Sequence, residues 1–128
     1  MKIRIKGNSV RYRLTQSEVR DLPEKGRLCE STCFGPAPEQ TFYYALETKA
    51  DIEGLQATFD GQQITLYLDA AAARTWHQDT RVGFNASIEV APGVKLGLLI
   101  EKDFACLDPT HEDQSDNYPN PNAVCGTG

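Results

Sequence analysis

A chain of 128 residues, 40 % hydrophobic and 24 % charged, is the length of one domain and too apolar to stay unfolded as a whole. Its net charge of −5 argues against non-specific nucleic-acid binding, which depends on neutralising phosphates, and no stretch approaches a membrane span in length. The opening Met1-Lys-Ile-Arg-Ile-Lys-Gly7 lacks an apolar h-region and is not read as a signal peptide. A cytoplasmic protein with reduced cysteines is the expectation.

The charge is uneven. Residues 1–28 carry eight basic and three acidic groups, whereas residues 99–128 carry one lysine and six acids. A basic head and an acidic end can pair internally, or the head can be offered to an anion.

In chain order, Lys2 to Lys6 alternates cations with isoleucines, and Ser9 to Leu14 alternates again with Val10, Tyr12 and Leu14 inward. Two strands around a Gly7-Asn8 turn, or one long bulged strand, are predicted. Thr15 and Glu18 have capping-box spacing for a short helix, which Pro23 and Gly26 are expected to end. Strands are predicted over Arg27 to Phe34 and Thr41 to Thr48. A hairpin is predicted over Leu55 to Leu68, in which Asp60-Gly61 suits a two-residue type I′ turn and the flanking glutamines leave its length open. Asp69 caps a second short helix running to His77, a residue read as a C-terminal cap or surface group. A further hairpin joins Val82–Val90 to Val94–Phe104 through Ala91-Pro-Gly93. No internal repeat is visible.

This order predicts an α+β, mostly β protein: a curved antiparallel sheet or partly closed barrel, two short helices and an extended C-terminal segment. Residues 1–107 form the domain. Residues 108–128, acidic and rich in Pro and Asn, are expected to pack on it.

Lys2, Arg4 and Lys6 share one sheet face, with Arg11 and Arg13 on the neighbouring strand. Such a face suits a phosphate or another small anion, and equally suits a solvated surface paired to acids. Glu101 and Asp103, two apart on a strand, point to one side. Together with His111, Glu112, Asp113 and Asp116 they form an acidic cluster that either pairs with the basic strand or holds a divalent cation. Acids beside His111 would keep it protonated nearer neutral pH. The C-x3-C pair Cys29 and Cys33 would lie roughly 13 Å apart on one strand, too far for a disulfide or a shared tetrahedral ion. Cys106 and Cys125 bracket the tail. No metal site, catalytic residue or cofactor is assigned.

The stretch Lys2-Ile-Arg-Ile-Lys-Gly-Asn-Ser9, with Arg11-Tyr-Arg-Leu14, resembles the opening of a family of small uncharacterised bacterial proteins. So does the closing Glu101-Lys-Asp-Phe104, Cys106-Leu107, Glu112-Asp113, Asp116 and Tyr118-Pro-Asn-Pro121. The resemblance covers essentially the whole chain and implies that the tail belongs to the domain, but it brings no activity. The preferred reading is a non-enzymatic binding module for a small anion or a protein partner, with a homodimer left open. The alternative is a metal-dependent enzyme acting on a phosphate-containing substrate, with Arg4, Arg11 and Arg13 gripping the anion and Glu101, Asp103 and an acid of the tail holding the metal.

Overall fold

The alternation at the start of the chain makes a hairpin of β1 (Lys2–Lys6) and β2 (Ser9–Leu14), closed by Gly7 at φ 54°. A computed structural model describes residues 1–104, 116 and 118. Three more hairpins follow the same logic, with strands β3 (Arg27–Cys33), β4 (Thr41–Lys49), β5 (Leu55–Phe59), β6 (Gln63–Asp69), β7 (Gly83–Ala91) and β8 (Val94–Lys102). Helix α1 (Gln16–Lys25) separates the first two hairpins, and α2 (Ala70–Trp76) the last two.

The capping box forms as predicted: the Glu18 amide donates to Thr15 Oγ1 and the Thr15 amide to Glu18 Oε1. Pro23 does not end α1. The helix runs past it to Lys25 and stops at Gly26, whose φ of 73° lets its N–H reach back to the Leu22 carbonyl. At the β5–β6 turn only Gly61 has positive φ. The predicted I′ turn gives way to one held by the Asp60 carboxylate, which accepts from the amides of Gln62 and Gln63 at 2.9 and 2.7 Å.

The protein is mostly β with two helices, in the predicted class. Its strands form two four-stranded sheets, ordered β1-β2-β8-β7 and β3-β4-β6-β5, which do not close into a barrel. Hairpins supply the antiparallel pairs, but the central pair of each sheet, β2 with β8 and β4 with β6, is parallel. The two sheets face one core built from Val10, Tyr12, Leu14, Leu46, Leu66, Leu68, Leu98 and Ile100, with Val19, Leu22, Ala73 and Trp76 added by the helices. Tyr12 bridges the sheets: its ring lies 5.9 Å from that of Tyr44, and its hydroxyl donates to the Ile64 carbonyl at 3.3 Å.

The topology repeats, contrary to the expectation from sequence. Moving 54 residues along the chain carries Ile3, Val10, Tyr12 and Leu14 onto Ala57, Ile64, Leu66 and Leu68 with hairpin register preserved. The same step carries the caps Thr15 onto Asp69, Val19 onto Ala73 and Leu22 onto Trp76. Tyr44, Leu46 and Thr48 fall on Leu98, Ile100 and Lys102 in the parallel ladders, and β3 falls on β7 after a shift of 56 (Leu28 onto Phe84). Each half sends one hairpin to each sheet, so neither half has a core of its own. Leu14 and Leu68, Gly7 and Gly61, and Glu47 and Glu101 are identical, but at most matched positions only the binary pattern recurs, which hides the repeat from a sequence reading.

Candidate functional site

Because Val10, Tyr12 and Leu14 point inward, the alternate residues of the β1-β2-β8-β7 sheet point outward. The ladders set them in three rows: Lys2–Arg13–Glu101–Gly83, Arg4–Arg11–Leu99–Asn85 and Lys6–Ser9–Gly97–Ser87. All five predicted cations therefore share a face with Glu101.

The first row, joined by Arg11 of the second and by Asp103 beyond Glu101, is a packed charge network. Arg11 donates through Nε to Glu101 Oε1 and also meets it through Nη2. Arg13 lies 3.6 Å from Glu101 Oε1 and 3.1 Å from Asp103 Oδ1, while Lys2 Nζ lies 3.2 Å from Asp103 Oδ2. Asp103 is buried, and its amide donates to the Leu14 carbonyl at 2.8 Å. Burial leaves Asp103, Glu101 and Arg13 little water, so the pairing holds them where they are, while Lys2 stays exposed. Glu101 and Asp103 face guanidinium and ammonium groups rather than each other. Among the described residues no three His, Cys, Asp or Glu side chains converge as a metal site would require.

The other two rows form a depression of about 430 Å³, lined by Arg4, Lys6, Arg11, Ser9, Leu99 and Gly97. It exists because its floor is small. Gly97 sits opposite Ser9, and a Cβ there would lie 3.3 Å from the serine Cβ. Arg4, Lys6 and Arg11 stand around a floor of Ser9, Gly97 and the apolar Leu99, and Arg11 is paired to Glu101.

The repeat supplies an internal comparison. The positions equivalent to Lys2, Arg4, Lys6, Arg11 and Arg13 on the other sheet are Gln56, Thr58, Asp60, Thr65 and Tyr67. The same backbone is built there without one of these cations. Glu101, in contrast, has an acidic counterpart in Glu47, which also takes a guanidinium, Arg27, at 3.0 Å.

Of the predicted acidic cluster, Asp116 lies at the start of α1. Its carbonyl accepts from the Gln16 amide at 3.0 Å, and its carboxylate accepts from the Ser17 amide and hydroxyl. The Ser17 hydroxyl holds the Asp116 carboxyl below the usual carboxylate range, although burial opposes this. His111, Glu112, Asp113, Cys106 and Cys125 lie outside the described residues. Cys29 and Cys33 are exposed free thiols on β3, and His77 is the C-cap of α2.

Sequence reasoning missed Lys102. It is buried at the end of β8, donates to the Asp79 carbonyl at 2.9 Å, and has the rings of Trp76 and Tyr118 at 6.0 and 5.0 Å. Desolvation draws its pKa below the usual lysine range, with the Asp79 charge acting against the shift. Tyr118 donates its amide to the Asp103 carbonyl at 2.7 Å and stacks edge-on against Phe104. Alternation alone would have placed Lys102 on the inner face, next to the inward Ile100.

Two open sheets, two helices and a positive depression on one outer face define a small α+β domain. The chain belongs to a family of unknown function (DUF7009), whose family model matches residues 1–122. No curated protein and no solved structure matches it. No helix among the described residues is long and apolar enough to cross a membrane.

Proposed function

We propose that the protein is a non-enzymatic binding module that takes a small anion of the phosphate class in the depression between Arg4, Lys6 and Arg11. The observation that carries this reading is the internal comparison: the fold is built twice, and only one copy carries cations at these positions. A requirement of the fold would act on both copies. Arginine suits the task because its planar fork meets two phosphate oxygens at once, while Ser9 and the backbone at Gly97 allow close approach. The enzymatic alternative gains no support, since its metal-holding carboxylates are already paired to cations.

Titration calorimetry with inorganic phosphate and tripolyphosphate at low salt tests the reading. Binding is expected to weaken as salt rises. Arg4→Gln and Lys6→Gln should each lower affinity about tenfold, the loss of one charge-assisted contact. Neither should shift the melting temperature much, because threonine and aspartate serve at the equivalent positions of the other sheet. Flat traces for the unsubstituted protein with both anions would sink the proposal.

A further inference from the structure

Open sheets have edges, and exposed edges are normally guarded against pairing with another chain. Three of the four edges here are guarded. β1 carries Lys2, Arg4 and Lys6, β5 is only five residues long and lies against β7, and β7 has a register break between Glu89 and Ala91. β3 is different. It pairs with β4 without interruption over seven residues, contains no lysine or proline, and is exposed at every position except Leu28.

The hydrogen bonds of β3 show which groups face outward. The Phe34 amide donates to the Gln40 carbonyl and the Thr48 amide to the Gly26 carbonyl, so even-numbered residues bond to β4. Arg27, Cys29, Ser31 and Cys33 therefore direct N–H and C=O to the open edge. Among the described residues, none bonds to that edge.

We propose that this edge is a self-association surface, on which β3 pairs antiparallel with β3 of a second copy about Ser31. The proposal is independent of the anion site. Antiparallel self-pairing must set odd residues opposite odd residues to join the outward groups, and three features select Ser31 as the centre. Cys29 of each copy then faces Cys33 of the other, with α-carbons about 5.5 Å apart. On the inner face, Phe34, which is 73 % exposed, gains the half-buried Leu28 of the second copy as a cross-strand neighbour. Glu30 faces Thr32, whereas a centre at Glu30 would set two like charges against each other. Charge, apolar and thiol pairing thus agree on one register.

Sedimentation velocity of the full chain in reducing buffer should show a dimer whose fraction rises with concentration. Ser31→Pro should abolish it at an unchanged melting temperature, because the lost N–H points to the open edge and proline is tolerated there. If that variant fails to fold, Phe34→Asp serves instead, with the same expectation. A second measurement uses a chain with Cys106→Ser and Cys125→Ser, treated with diamide. Two thiols there give one disulfide, and their two electrons and two protons reduce diamide to the hydrazine. Peptide mapping should find Cys29 joined to Cys33 of the other copy. A monomer at every concentration, a dimer that survives the edge substitution, or cross-links chiefly between like cysteines would overturn the proposal.

Discussion

Asp103 marks the point where β8 leaves its sheet, and four contacts meet there: Arg13, Lys2, the Leu14 carbonyl and the Tyr118 amide. Its side chain is nearly inaccessible while Arg13 keeps some exposure, so removing the carboxylate leaves a cation that can only partly rehydrate. Asp103→Ala should therefore lose about 3 kcal/mol in urea unfolding, with the more exposed Glu101 costing about 1–2 kcal/mol on the same change. Tyr12 gives a pH dependence. Burial pushes its hydroxyl well above the usual phenol range. Below about pH 10 the folded and unfolded states both hold the proton and nothing changes. Above it the unfolded chain releases the proton first, so stability falls as pH rises. Tyr12→Phe should cost about 1 kcal/mol at pH 7, the worth of one buried hydrogen bond, and should flatten the alkaline loss seen by denaturant titration between about pH 9 and 11. The inward direction of Tyr12 was legible from period two alone. Pairing of Glu101 and Asp103 with the basic strand was one of the two sequence readings and is what forms; which arginine meets which acid was not legible, because it depends on the parallel register of β2 with β8.

Local chemistry decided the elements, and most could be read. Eight strands, two helices and both N-caps follow from alternation, turn residues and capping spacing; two hairpins were read outright, the first beside a bulged-strand alternative, and the β3–β4 pairing was not read. Thr15→Ala should lower stability by about 1 kcal/mol, measured by thermal or urea unfolding. Pro23 misled because its missing N–H removes one bond near the end of α1, where tertiary burial of Val19 and Leu22 holds the helix together anyway. Gly83 stayed silent in sequence and is demanding in structure. A Cβ there would lie 2.8 Å from the Glu101 Cβ and would also strike the Ile100 carbonyl. Gly83→Ala should cost about 1–3 kcal/mol and displace Glu101 from its arginines.

For the molecule as a whole, sequence reasoning reached the class but not the arrangement. Parallel pairing of β2 with β8 joins residues 88 apart, and although their opposed charges suggest contact, neither strand's local pattern sets the direction or the register. The duplication was equally hidden, since burial preserves apolar character at matched positions while letting Tyr12 become Leu66 and Leu22 become Trp76. The five cations were legible as one face. The floor beneath them was not, because Gly97 meets Ser9 only through that parallel register. The repeat also turns the anion proposal into a contrast within one molecule. An amide NMR titration with tripolyphosphate tests it most directly. The proposal predicts saturable shifts at Lys6, Ser9, Arg11 and Gly97, and none at their counterparts Asp60, Gln63, Thr65 and Tyr43. Shifts of equal size on both faces, or none on either, would contradict it.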